Sequence, residues 1–315
     1  MNRSPLRLNY DPHSGFHLTV YVSFNKFALN IFSHNHSYKH YVIKGIEQNW
    51  SGFYPMNPEL SQACSDFFLL QKTGQSPVKQ HQAKTLARNN NHNLLKETSN
   101  QLSKQNLTKL PGCEASKDIE YQLSEQHLAK LPLHVKLYED ILSGQQNPRI
   151  VFLKRLLKGK TRPIPIFVKK SKLLPSHVAS GLFRRFWGIF RTGQIESFGY
   201  NWSRNFPGYA VINDLRSTQS LKQVAAHEAG HLFGLGDAYG AWYRFFYAAP
   251  NTEDYMMHYN TQVHTQEIAM LIRAYIKKKA QFFPRRFNLG NIIKSIFREL
   301  KFYFRKFFKL FCRKS

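Results

Sequence analysis

The chain has 315 residues, of which 42% are hydrophobic and 15% aromatic, so it is not disordered throughout and can form one large or two small domains. Its formal net charge of +26 at pH 7 indicates affinity for nucleic acid, anionic lipid or acidic substrates, without choosing among them. The three cysteines are too few and too far apart for a disulfide framework, which indicates a reducing compartment.

The N-terminal segment, residues 1–71, is predicted to supply a strand and a core helix to the folded domain. Gly15–Phe24 alternates apolar and polar residues of high β-propensity, which favours a strand. Tyr38–Trp50 has its apolar residues at helical spacing and is expected to end near Gly52. The chain shows no apolar signal-peptide core at its start, so we expect a cytoplasmic protein.

Residues 72–147 are predicted to be a polar, low-complexity insertion that is largely flexible. Gln, Asn, Lys and Ser dominate as far as Pro132, and Tyr121 is the only Phe, Tyr or Trp between Lys72 and that proline. A segment of this composition cannot bury enough apolar surface to offset the entropy lost on ordering.

Folded structure is expected to resume over residues 148–283. Ile150–Leu157 and Ile164–Lys170 are predicted strands, and the prolines at the start of the second favour an edge position or a strand beginning there. Gly208–Asn213 is a third predicted strand, which could pair with an extended peptide. Val263–Lys279 is a predicted core helix.

The most informative stretch is H-E-x-x-H-x-x-G-x-x-D, which runs from His227 to Asp237. On a helix, His227 and His231 lie on one side, at the spacing that two ligands of one zinc ion need. Glu228 then lies beside the metal, where it can accept a proton from an activated water molecule. Gly234 allows a sharp turn that brings Asp237 back as third ligand. Three protein ligands leave one zinc position open, which is typical of catalytic sites.

This motif and the downstream segment Met256-Met257-His258-Tyr259 resemble the metzincin zinc endopeptidases. The sequence Met257-His258-Tyr259 is similar to the Met-turn of the astacin type. The resemblance therefore implies that Met257 forms a hydrophobic floor beneath the metal, with Met256 as second candidate. Most metzincins have histidine as third ligand, whereas Asp237 is similar to the ligand of the snapalysin-like minority.

The resemblance covers about residues 15–70 and 149–281 and is specific only over His227–Tyr259. It implies an α+β fold, a zincin-like catalytic domain with a twisted mixed sheet, an active-site helix and a C-terminal helix. It also implies hydrolysis of a peptide or protein substrate, with Glu228 as general base. The Tyr259 hydroxyl is expected to help stabilise the oxyanion, although a core aromatic role is an equal alternative.

Residues 284–315 are predicted to form a basic amphipathic helix at the C-terminus. Between residues 291 and 312, isoleucine, leucine and aromatic side chains occupy one side of the helix and lysine and arginine the others. From residue 285 onward, ten Lys and Arg face one Glu, which gives a net charge of +9. Such a helix is typical of those that lie in an anionic membrane surface. Docking on the domain through its Phe face is the alternative.

Two other functions remain open from the sequence. The chain could be a catalytically inactive zincin-like binding module, or a polyanion- or membrane-surface-binding protein that acts through its charge. No RNA-binding, zinc-finger or helix-turn-helix motif is present to specify nucleic acid. Glu253 and Glu267 are alternative third ligands, which would make the metal site gluzincin-like.

Overall fold

The computed structural model describes residues 4–73, 130–170, 176–179, 202–213, 217–239, 246–284, 286–287, 297, 300, 301, 304 and 305. These residues form an α+β fold with a seven-stranded mixed sheet and six α-helices. The helices are α1 (Tyr38–Trp50), α2 (Pro58–Thr73), α3 (Pro148–Leu157), α4 (Thr218–Leu232), α5 (Met256–Tyr259) and α6 (Thr265–Lys277). The strands are β1 (Leu6–Asp11), β2 (Gly15–Phe24), β3 (Ile31–Ser33), β4 (His36–Ser37), β5 (Gly52–Pro55), β6 (Lys130–Glu139), β7 (Ile164–Val168), β8 (His177–Ala179), β9 (Tyr209–Ile212), β10 (Phe246–Tyr247) and β11 (Arg286–Phe287).

The large sheet has the strand order β5-β6-β2-β7-β9-β8, and β1 pairs with β2 as well. Strands β2, β6, β7 and β9 run parallel, whereas β1, β5 and β8 are antiparallel to their neighbours. The predicted strand Gly15–Phe24 is confirmed as β2, and the predicted helix Tyr38–Trp50 is confirmed as α1. The predicted core helix over residues 263–279 is present as α6.

Helix α1 packs closely against α4 and fixes its position on the sheet. A Cβ added to Gly45 would lie 2.6 Å from the Cα of Lys222, so the two helices approach at a point where only glycine fits. Trp50 is fully buried, and its Nε1 donates a hydrogen bond of 2.8 Å to the carbonyl of Ala226. The tryptophan therefore ties α1 to the turn of α4 that carries the histidine motif.

The predicted strand Ile150–Leu157 is wrong, because this segment is helix α3. A short apolar run does not by itself distinguish a buried strand from a helix. The decision lies in the preceding residues: the Asn147 side chain accepts a hydrogen bond from the N–H of Arg149, and Pro148 occupies the first helical turn. Both features favour a helix start.

The predicted insertion 72–147 is wrong at its C-terminal end, because β6 lies between β5 and β2 in the large sheet. Its predicted start agrees with the end of helix α2 at Thr73 to within two residues. Alternate residues of β6 are buried, namely Leu131, Leu133, Val135 and Leu137. Because the residues between them are mostly polar, the average composition of this strand resembles that of the polar segment before it. Residues 74–129 of the predicted insertion lie outside the described part of the chain.

The predicted edge position of the strand at residues 164–170 is also wrong. Strand β7 does begin at Ile164, between the two prolines, but it lies between β2 and β9 and is buried throughout. Strand β9 is likewise covered, because β8 pairs with it on the other side. The predicted strand Gly208–Asn213 therefore does not offer a free edge to an extended peptide.

Candidate metal centre

Helix α4 presents the motif histidines, and its two ends are defined by local interactions. At the start, the Ser217 side chain accepts a hydrogen bond from the N–H of Ser220. Just beyond the end, Gly234 has φ +99°, a conformation that side chains rarely adopt. A Cβ at Gly234 would also lie 2.8 Å from the Cβ of Ala274 and 2.9 Å from the ring of Trp202. This turn sends the chain back towards the helix, as the motif spacing predicts.

The turn brings Asp237 to the two histidines. Its Oδ1 lies 3.2 Å from Nε2 of His227 and 3.2 Å from Nε2 of His231, and all three side chains are 8% exposed. Two ligand atoms bound at about 2.0–2.2 Å to a tetrahedral zinc ion lie roughly 3.3 Å apart. The three residues, which are the predicted ligands, lie close enough together to hold a metal ion.

The other nitrogen of each histidine faces a backbone carbonyl. His227 Nδ1 lies 2.8 Å from the carbonyl oxygen of Met256, and His231 Nδ1 lies 2.8 Å from that of Leu235. Donation from Nδ1 leaves the lone pair of each Nε2 directed at the Asp237 carboxylate. Lone pairs and a carboxylate oxygen facing each other at this distance repel unless a cation lies between them. With both histidines in this tautomer, the buried Oδ1 of Asp237 has no hydrogen-bond donor, so the three residues fit a divalent metal ion.

Electrostatics within this group favour a positive charge at its centre. Burial by itself lowers the pKa of His231, but the negative charges of Asp237 and Glu228 raise the pKa to about 9. Burial tends to raise the pKa of Asp237, but the two histidines hold it well below its usual range. In the protein chain alone, a proton on the histidine therefore supplies the charge that a metal ion would bring.

Glu228 lies beside the predicted ligands without joining them. It is 5% exposed, and its Oε2 is buried without a hydrogen-bond partner. Burial raises the pKa of Glu228 to about 7; the nearby histidines oppose the rise, and Asp237 adds to it. A carboxyl group with a pKa near neutrality can both accept and release a proton, which is the property of a general base and acid.

The segment that resembles a Met-turn is the single helical turn α5. Met256, Met257 and His258 are buried there. A Cβ added to Gly230, between the two motif histidines, would overlap Sδ of Met257 and lie 2.9 Å from the Trp50 ring. The Met257 side chain therefore packs directly against the helix face between the histidines, as expected of a hydrophobic floor.

A buried glutamate on α6 holds this turn. Glu267 is fully buried, its Oε1 accepts the N–H of Met257 at 2.8 Å, and its Oε2 accepts the N–H of His264 at 2.7 Å. Burial raises the pKa of Glu267 to about 7, although the backbone donors lower it. Both oxygens are thus engaged with the backbone, and Glu253 is exposed. The structure brings neither alternative ligand into the metal-competent group, whose only members among the described residues are His227, His231 and Asp237.

Two tyrosines differ in their relation to the site. Tyr259 is 69% exposed, so its alternative interpretation as a core aromatic is wrong, while its catalytic role stays a prediction. Tyr239 is half-buried, and its ring lies 6.3 Å from the His227 ring and nearly parallel to it at 10°. Tyr239 was not among the predicted site residues, although its position two residues after Asp237 was a signal that could have identified it.

Comparison of the chain with protein-family models, with curated proteins and with solved structures finds no match. No helix in the described ranges is both long and apolar enough to cross a membrane. Cys64 is a free, buried thiol, whereas Cys113 and Cys312 lie outside the described residues. Any conclusion about function therefore depends on the geometry of the site itself.

Proposed function

We propose that the protein is a zinc-dependent endopeptidase with a metzincin-like catalytic domain. The observation that supports this best is the buried convergence of His227, His231 and Asp237, with the unpaired carboxylate oxygen of Glu228 beside them. Two imidazoles and one carboxylate are a ligand set that zinc accepts, and three protein ligands suit a catalytic site.

Each group in this site has a separate role in the proposed hydrolysis of a peptide bond. Zinc, when bound, supplies a Lewis acid that acidifies water and polarises a carbonyl group. Glu228 accepts the proton of the attacking water and delivers it to the leaving amine. The carbonyls of Met256 and Leu235 hold the two histidines in the tautomer that leaves Nε2 free to coordinate.

We propose a peptide or protein substrate as the partner of this site, because the chemistry assigned to Glu228 and to the metal ligands cleaves a peptide bond.

The test is to replace Glu228 without disturbing the metal ligands. We expect Glu228→Gln to retain one zinc ion per chain and to lower kcat/KM on an unspecific fluorescent peptide library by at least about 100-fold. Glu253→Gln is the matched control, because Glu253 is exposed and should be replaceable without loss. If the Glu228 variant were as active as wild type, Glu228 would not be the general base.

The same experiment distinguishes the main alternative. The unusual aspartate ligand set would also suit a zincin-like module that binds without cleaving. Such a protein would hold zinc in the wild type and show no hydrolysis of any peptide in the library. A cytoplasmic location remains a prediction, which fractionation of the producing cells would test.

A further inference from the structure

Helix α3 presents an apolar face that lies open to solvent. Ile150, Leu153 and Leu157 are 49%, 53% and 78% exposed, and their spacing of three and four residues places them on one side of the helix. Leu156 is 38% exposed beside them. Apolar side chains this exposed and contiguous mark an interaction site rather than ordinary surface.

The loop before α3 is attached to another side of the helix. Asp140 in this loop accepts two hydrogen bonds from Arg155 of α3, at 2.8 and 3.1 Å. Arg155 lies two residues from both Leu153 and Leu157, so it does not share their face. This half-buried ion pair therefore holds α3 in place from the side away from its exposed apolar residues.

The charged residues of α3 and of its two flanks at 147–160 are all basic. Arg149, Lys154, Lys158 and Lys160 are exposed on or next to α3, and residues 147–160 contain no acidic side chain. Within the described part of the chain, Arg155 is the one basic residue of α3 in an ion pair, which it forms with Asp140. A second copy of the chain would bring equal positive charges into contact and is disfavoured. Nucleic acid would match the charge but would not need the exposed leucines.

We infer that α3 forms a docking surface for a membrane that contains anionic lipid. Basic helices with exposed large apolar residues insert those residues into the headgroup region, while their lysines attract acidic headgroups. The described residues of the C-terminal tail have the same chemistry: Phe297, Leu300 and Phe304 are 67%, 51% and 63% exposed, next to Lys301 and Arg305. Two weak membrane contacts on one chain together bind a membrane more tightly than either contact does alone.

The test is co-sedimentation of the full-length protein with vesicles of phosphatidylcholine, with or without about one-third phosphatidylserine. We expect binding only with phosphatidylserine, and we expect Leu153→Ser/Leu157→Ser to weaken the vesicle partition coefficient about tenfold. The matched control is Phe53→Ser/Tyr247→Ser, whose side chains are 70% and 55% exposed elsewhere and which should bind like wild type. The charge reversal Lys154→Glu/Lys158→Glu should weaken binding comparably.

Three results would overturn the inference. Binding of wild type to phosphatidylcholine alone, as strong as to the mixed vesicles, would exclude recognition of anionic lipid. Unchanged binding of the Leu153→Ser/Leu157→Ser variant would exclude α3 as the contact. A dimer of wild type in solution that this variant splits would show that the face is covered by a second copy of the chain. Circular dichroism melting of each variant verifies that these exposed substitutions preserve the fold.

Discussion

Replacement of Gly230 by alanine tests the proposed packing of the metal centre most sharply. In an ordinary helix interior, this change stabilises a protein by about 0.5–1 kcal/mol, because alanine loses less backbone entropy. Here the new Cβ would overlap Sδ of Met257 and lie 2.9 Å from a rigid Trp50 ring carbon. We therefore expect Gly230→Ala to destabilise the protein rather than to stabilise it.

The size of the effect follows from two opposing contributions. Overpacking a tight core costs about 1–3 kcal/mol, and subtracting the helix gain leaves a net destabilisation of about 0–2.5 kcal/mol. We expect displacement of the Met257 side chain to shift its neighbour Met256 as well, whose carbonyl orients His227. Loss of such an orienting contact weakens metal binding by about 10–100-fold, so we expect zinc affinity to fall at least tenfold.

Urea unfolding and zinc competition with a chelator measure the two effects of Gly230→Ala. Gly52→Ala is the control, since its Cβ would meet its nearest atom at an ordinary 3.6 Å, and we expect neither quantity to change appreciably. The double variant Gly230→Ala/Met257→Ala makes room for the new methyl group and should recover part of the loss. A Gly230→Ala protein that is more stable than wild type, with unchanged zinc affinity, would refute the packing argument.

Zinc binding at pH 7 is expected to release about one proton, because the pKa of His231 lies near 9 in the protein chain alone and the ligand must be deprotonated. The affinity for zinc should therefore rise with pH up to about 9 and then level off. Calorimetry in buffers of different ionisation enthalpy would contradict this prediction if it detected no released proton. Glu267→Gln should cost about 1–3 kcal/mol in urea unfolding, since an amide cannot accept both backbone N–H groups, and a stability equal to wild type would contradict its bracing role. Of the two tyrosines, Tyr239 is the one whose ring lies against a predicted ligand, His227. We therefore expect Tyr239→Ala to lower kcat roughly tenfold or more and Tyr259→Ala less, and a larger loss from Tyr259→Ala would reverse this order.

The parts of the site that were predictable from sequence are those built by local geometry. Helical spacing places His227 and His231 on one face, and the glycine three residues later turns the chain so that Asp237 can return. Both relations extend over no more than eleven residues. Because backbone geometry alone largely determines them, the pattern was sufficient to predict which side chains meet.

The parts that were not predictable depend on contacts between distant segments. Glu267 acts through the backbone of Met257, ten residues away on another element, and no local pattern indicates that pairing. Strand β6 has only four buried residues among polar ones, so its alternation was hidden in a long polar stretch. Helix α3 is a different case, because the local signals Asn147 and Pro148 favour a helix, whereas the short apolar run after them was taken for a strand.

The claim that His227, His231 and Asp237 hold a zinc ion is tested most directly by anomalous diffraction from crystals grown with zinc. Data collected on both sides of the zinc absorption edge should show one strong peak, about 2.0–2.2 Å from Nε2 of each histidine and from a carboxylate oxygen of the aspartate. An empty map between these three side chains, or an Asp237 carboxylate turned away from a bound ion, would contradict the account.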